Sequence, residues 1–172
     1  MPSEATLAGR SVTLGVTGCI AAYKAAEIVR LLRRMDVDVH VAMTEAATQL
    51  MSAHALATLS EHPVVTSLWG RPEIDHLRLS READLMVIAP ATADILGKVA
   101  SGIADDLLST AIMASNIPVV FAPAMNVQMW ENPAVQHNIA VLQRLKRATQ
   151  GGGKKRDPES TPQKLRPVVV TP

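Results

Sequence analysis

The segment Pro123-Ala124-Met125-Asn126-Val127-Gln128-Met129-Trp130 places an amide, two thioethers and an indole within a few residues of one another. A carboxamide can donate hydrogen bonds to a carboxylate, so Asn126 is a candidate for holding an acidic group of a substrate. The same segment also suits a hydrophobic staple for a helix starting at Glu131. His76, within Glu73-Ile74-Asp75-His76-Leu77, is expected in a loop before a helical turn, where a neutral imidazole could serve as a base near pH 7. His40 falls in a strand and reads as structural, His54 and His62 read as solvated, and His137 lies mid-helix. No two histidines have metal-ligand spacing, so the sequence predicts no metal. Cys19 is the sole cysteine, which excludes an internal disulfide and a multi-cysteine zinc site.

Three turns could let a ligand come close. Gly15-Val16-Thr17-Gly18-Cys19-Ile20-Ala21 combines glycines with a following helix start that favours a phosphate. Its spacing is G-x-x-G-x-x-A, not the dinucleotide G-x-G-x-x-G, and a plain tight turn fits it too. After Met43 the chain continues Thr44-Glu45-Ala46. A dinucleotide site wants an acidic residue at that strand end for the ribose diol. The hydroxyl of Thr44 suits a phosphate or a ring edge instead, which points to a mononucleotide. Pro90-Ala91-Thr92-Ala93-Asp94 has small residues that admit a flat ring or a phosphate. Thr44 and Thr92 are also good helix caps, and capping and ligand contact can coexist.

The elements that must position these turns follow from the apolar pattern. Ser11 to Val16, Val37 to Met43, Leu85 to Ala89 and Ile117 to Ala122 read as strands, the last two as continuous apolar runs buried on both faces. Ile20 to Arg34, Glu45 to Ser60, Thr92 to Ser115 with a break near Gly102, and Glu131 to Arg147 read as helices, while 63–72 reads as a loop with a short extended piece. Strand, turn and helix repeat in that order, which predicts an α/β doubly wound parallel sheet with ligands at its carboxyl ends. Hydrophobic residues are 48% of the 172, yet aromatics are only 2%, an aliphatic core suited to that architecture. No apolar run is long enough to span a membrane, and Met1 to Arg10 lacks the pattern of a signal peptide, so a cytoplasmic location is expected. Residues 145–172 carry a net charge of +5 against +1 for the whole chain, which leaves the rest at about −4. With the positive charge in the tail and no basic face bearing aromatics, no nucleic acid partner is predicted. The expected division is a domain over 1–148 and a flexible basic tail over 149–172, with Val168-Val169-Val170 as an optional edge strand.

Taken together, Gly15 to Lys24, Met43-Thr44-Glu45-Ala46-Ala47, His76-Leu77-Arg78-Leu79, Ala89 to Asp94 and Pro123 to Trp130 resemble the homo-oligomeric flavin-containing cysteine decarboxylases. The wording is most similar to the branch that acts on 4'-phosphopantothenoylcysteine in coenzyme A biosynthesis. The resemblance covers about residues 7–144, and P-x-M-N-x-x-M-[W/Y] with an upstream His is its specific part. It implies a Rossmann-like flavoprotein fold of three layers and FMN as cofactor. It implies that FMN oxidises the thiol-bearing carbon of the substrate to a thioaldehyde, so that carbon dioxide leaves from the position beta to C=S as an enethiolate forms. His76 would then be the catalytic base, and Asn126 would bind the substrate carboxylate. Gly18, Cys19, Ile20, Thr44, Glu45, Ala46, Thr92, Ala93, Asp94, Ile95 and Met125 would bind the cofactor. Trimers or dodecamers with FMN at subunit interfaces are implied as well.

The sequence departs from that pattern at one place. The phosphopantetheine-forming members carry a Cys in a later Gly-rich A-C-G-D flap, whose thiol protonates the intermediate while the flavin returns its electrons. Here Arg144 is followed by Leu145-Lys146-Arg147-Ala148-Thr149-Gln150-Gly151-Gly152-Gly153, and no Cys follows. Two alternatives stay open: a peptidyl-cysteine oxidative decarboxylase that releases the enethiol, and a non-catalytic FMN-binding assembly or regulatory subunit.

Overall fold

A computed structural model of the protein describes residues 7–69, 75–150 and 166–169, with the side chains of residues 75–77, 146–150 and 166–169 outside the description. Five strands form one all-parallel sheet: β1 (Ser11–Val16), β2 (Asp38–Met43), β3 (Leu85–Ala91), β4 (Pro118–Pro123) and β5 (Arg166–Val169). Their order is β2-β1-β3-β4-β5, and every neighbouring pair is parallel. Parallel strands require crossovers, and helices supply them. These are α1 (Ala25–Arg34), α2 (Glu45–Thr48), α3 (Ala53–Ser60), α4 (Asp75–Arg81), α5 (Ala93–Ala100), α6 (Leu107–Met113), α7 (Val127–Glu131) and α8 (Pro133–Gln150).

The period-2 pattern of each strand divides the core into two layers. Val12, Leu14, Val16, Val39, Val41 and Met43 pack with Ala25 and Val29 of α1 and Leu56 of α3. On the other face Met86, Ile88, Val119 and Phe121 pack with α5, α6 and α8 through Leu96, Leu108, Ile112 and Leu142. Gly15 faces this second layer: a Cβ there would sit 2.6 Å from Ile88 Cδ1 and 2.7 Å from Leu108 Cδ1. The missing side chain is what lets α6 pack down on the sheet. Because all strands run the same way, the ends of β1 to β4 meet at one edge, and the turns they feed converge there.

Several boundaries differ from the expectation. The helix expected over 20–34 is a 3-10 turn at Ile20–Lys24 followed by α1. The span expected over 45–60 is divided, because Thr44 and Ser52 each cap their own helix through hydrogen bonds from Ala47 N and Ala55 N. β3 runs through Pro90 to Ala91 with a register shift after Ile88, where a proline's lack of an N–H is tolerated. Asn126 starts α7 at Val127, ahead of the expected Glu131. His76 is inside α4, not in a loop before it. The extended piece in 63–72 is Val65, bridged to Ala42 beside β2. The expected tail begins inside α8, and Arg166–Val169 pairs with β4 as the edge strand; 151–165 lie outside the described residues. Among the described residues no helix is long and apolar enough to cross a membrane.

Candidate active site

A cavity of about 1030 Å³ opens at the carboxyl edge of the sheet. This is a size suited to a cofactor with a substrate beside it. Its walls are the turn after β1, the Thr44 turn after β2, the Thr92 turn after β3 and the segment after β4. Thr17, fully buried, joins two of these turns. Its hydroxyl donates to Pro90 O at 2.6 Å and accepts from Thr92 N at 3.0 Å. The first and second turns touch through Gly18, where a Cβ would lie 2.5 Å from Ala46 Cβ and 2.9 Å from the Ala46 carbonyl carbon. Glycine is therefore required by proximity at this position.

Four cavity-lining side chains are helix caps: Asp106, which caps α6 through Ser109 N, and three that carry hydrogen-bond donors. Thr44 Oγ1 accepts from Ala47 N (3.2 Å), Thr92 Oγ1 from Ile95 N (3.4 Å), and Asn126 Oδ1 from Met129 N (2.8 Å). Capping occupies an acceptor in each case and leaves the donors: two hydroxyl hydrogens and the Asn126 NH₂, for which no acceptor is found among the described residues. The Gly18 N–H likewise has no partner there. Lys24 lines the same cavity without an ion-pair partner among the described residues. A donor-rich, partly apolar cleft with one uncommitted cation fits an acceptor-rich ligand, such as a phosphate joined to a carbonyl-bearing ring.

Lys98 also reaches the wall, but its charge is spent. Its Nζ lies 3.0 Å from Asp106 Oδ2, 3.1 Å from Asp105 Oδ1 and 3.3 Å from Asp94 Oδ2. The Asp106 hydrogen bond, helped by the other carboxylates and opposed by burial, holds the ammonium well above its ordinary pKa. Burial works against the Asp106 carboxylate. The Ser109 backbone N–H, Lys98 and the Ser109 hydroxyl outweigh it and keep the carboxyl below the usual range.

Of the residues singled out from sequence, Gly18, Cys19, Ile20, Thr44, Glu45, Ala46, Thr92, Ala93, Asp94, Met125 and Asn126 all line this cavity. Ile95 does not: three residues past the cap its side chain turns inward on α5 and is buried in the core with Leu96 and Val99. His76 is the second residue of α4, and its side chain lies outside the described residues. The helix leads into the start of β3, so its first turn lies toward the carboxyl edge of the sheet. Thr17, Lys24, Lys98 and Asp106 were not anticipated. Lys24 stands six residues beyond Gly18, close behind a turn already suspected of holding a phosphate, which is a signal that could have found it. Lys98 and Asp106 carried no comparable signal, since their pairing depends on how the chain folds back after α5.

Comparison with known proteins agrees with this architecture. The family described as Flavoprotein matches residues 1–159. The coenzyme A biosynthesis bifunctional protein CoaBC of Escherichia coli (strain K12) is 47% identical over 140 residues, which is 80% of this chain and 34% of that protein. The chain thus spans about a third of the length of the curated relatives it matches. Among solved structures, the FMN-dependent cysteine decarboxylase SpaF superposes with a TM-score of 0.76 at 36% identity, covering 80% of this chain and 81% of SpaF. A PPC decarboxylase mutant complexed with pantothenoylaminoethenethiol superposes with a TM-score of 0.72 at 26% identity, covering 95% of this chain and 82% of that one. The resemblance read from the sequence is therefore borne out, and the chain belongs to the flavoprotein family.

Proposed function

We propose that this chain binds FMN in the cleft and decarboxylates 4'-phosphopantothenoylcysteine on the route to 4'-phosphopantetheine. The observation that carries the reading is the geometry of Asn126, whose oxygen is fixed by capping so that its two N–H donors are left for a carboxylate beside the cofactor turns. The likeness to CoaBC over 140 residues and to FMN-dependent cysteine decarboxylases supports it.

The residues present fit FMN. The hydroxyls of Thr44 and Thr92, the Gly18 N–H and Lys24 are the groups that would hold its phosphate and polar edges, and Met125 and the small side chains of Ala46 and Ala93 would meet its ring. Bound there, FMN supplies a two-electron acceptor for the thiol-bearing carbon of the substrate. Asn126 fixes the substrate carboxylate and so the bond that must break. His76 takes the thiol proton on its imidazole, the side-chain type most often used as a general base. The cleft has an exposed apolar rim in Ile20, Tyr23 and Met129. Such a rim on a small domain also suits a homo-oligomer, a trimer or dodecamer, in which a second copy closes the cleft. The expected location is the cytoplasm.

A second reading is oxidative decarboxylation of a C-terminal peptide cysteine with release of the enethiol. It is favoured by the absence of any cysteine after Cys19 in the 172 residues, since only the reductive step calls for such a thiol acid. One incubation separates the readings. The yellow protein is mixed anaerobically with 4'-phosphopantothenoylcysteine and with a cysteine-terminated peptide, and bleaching of the flavin band, carbon dioxide and product mass are followed. Phosphopantetheine formation supports the first reading, and bleaching by the peptide alone the second. Neither bleaching nor carbon dioxide with either substrate leaves only a non-catalytic FMN-binding subunit.

A further inference from the structure

On the edge strand β2, Asp38 and His40 project from the same face, two residues apart, while Val39 and Val41 are buried on the other. His62 arrives beside them from the turn after α3. Its Nε2 lies 2.6 Å from Asp38 Oδ1, and His40 Nε2 lies 3.0 Å from Asp38 Oδ2. The two imidazoles stack with centroids 4.2 Å apart and planes 24° from parallel, so both Nε2 atoms face one carboxylate. One ligand atom from each of the three side chains falls within 4.8 Å of the others.

We propose that Asp38, His40 and His62 bind one zinc-like divalent cation, with water completing the shell. Two ligands on one tetrahedral zinc, at bond lengths near 2.0–2.1 Å, lie about 3.3 Å apart. The two carboxylate–imidazole separations, 2.6 and 3.0 Å, both fall just short of that value, so the ligand atoms admit an ion by opening outward through side-chain rotation. Two imidazoles and a carboxylate suit zinc, nickel or copper over calcium or magnesium. An ionised carboxylate only accepts, so each Nε2 that faces Asp38 gives up its hydrogen when it takes a cation.

The scaffold holds this arrangement in place. Glu61 turns the chain in the left-handed region, with φ 63°. The buried Ser60 hydroxyl accepts from His62 N at 3.4 Å and donates to His62 O at 3.2 Å. Three residues on, Val65 pairs with β2 through Val65 N to Val41 O and Met43 N to Val65 O. His62 is thus anchored on both sides. The three side chains are a quarter to a half exposed, which leaves a path for the ion and room for water. Arg78 of α4 and Glu82, just past its end, line the small hollow next to His40, one charge of each sign. The sequence alone predicted no metal, because His40 and His62 are 22 residues apart and meet only through the fold.

The test uses the full-length, tag-free protein, stripped with chelator and titrated with Zn²⁺ by calorimetry and with Co²⁺ by absorption between the flavin bands and the near infrared. The expected result is one ion per chain and a rise in thermal midpoint with Zn²⁺. Asp38→Asn, His40→Gln and His62→Gln should each weaken binding about tenfold or more. His54→Gln and His137→Gln, on exposed helix surfaces, should leave it unchanged. Far-UV circular dichroism reports whether each variant folds, and three separate variants guard against one failing to. No stoichiometric binding in the parent protein would overturn the proposal, as would binding that survives His62→Gln and Asp38→Asn or is lost equally in the two control variants.

Discussion

At Asn126, the Oδ1 atom is committed to Met129 N and the NH₂ group is left for a ligand, so two substitutions separate the two roles. Asn126→Ala should cost about 1 kcal/mol through the lost cap and abolish turnover. Asn126→Asp keeps an equally good cap but has no donor, so urea unfolding should move by no more than a few tenths of a kcal/mol while kcat/KM collapses. At Gly18, Ala adds a Cβ into contact with Ala46 backbone and side chain, and the two turns must part. Gly18→Ala should destabilise by about 1–3 kcal/mol and lower the flavin absorbance per chain, measured on the protein as purified. At His76, Asn should leave the cofactor bound but stop bleaching by substrate; continued bleaching would remove it as the base. At this scale the sequence was informative wherever residue type alone implies chemistry, as with Asn126 and Thr44. Ile95 could not be read that way: it shares the turn with Thr92, and only the rotation of α5 decides which side chain faces the cleft.

Among the elements, the tie between the turns after β1 and β3 is Thr17, and it was not foreseen because a threonine between Val16 and Gly18 reads as part of a turn. Thr17→Val keeps the shape, removes the acceptor of Thr92 N and leaves Pro90 O only the longer bond from Thr17 N at 3.4 Å. A loss of about 1–3 kcal/mol and weaker flavin retention should follow, checked by urea unfolding and by filtration of free flavin. The start of α6 offers a pH test. Asp106 closes a capping box with Ser109 and pairs with Lys98. Its carboxyl is held below its ordinary value of 3.8, so its contribution is complete above that pH and fades as pH falls through the lower folded value. Asp106→Ala should therefore be less stable than the parent by about 1–2 kcal/mol near neutral pH, with the gap closing below pH 3.8 in urea titrations. The strands were legible from apolar runs and alternation. The helix breaks at Gln49–Ser52 and Asn132 were not, since caps made by Ser52 and Asn126 compete with a helical pattern that continues through them.

For the whole molecule, the chain order of strands and helices already implied a parallel sheet with its ligand edge at the strands' carboxyl ends, and the order β2-β1-β3-β4-β5 realises it. The pattern left the fifth strand open, as an optional edge strand separated from the last helix by a Gly-rich segment that lacks periodicity, and it could not give the meeting of Asp38, His40 and His62 across a strand and a turn. The cleft is assembled from four separate turns, and the likeness to CoaBC covers 34% of that protein. The most direct measurement is the absorption spectrum of the purified protein before and after anaerobic addition of 4'-phosphopantothenoylcysteine. The account predicts FMN bands near one equivalent per chain that bleach as carbon dioxide is released. A colourless protein that takes up no added FMN, or bound flavin that stays oxidised while no cysteine-terminated substrate releases carbon dioxide, would contradict it.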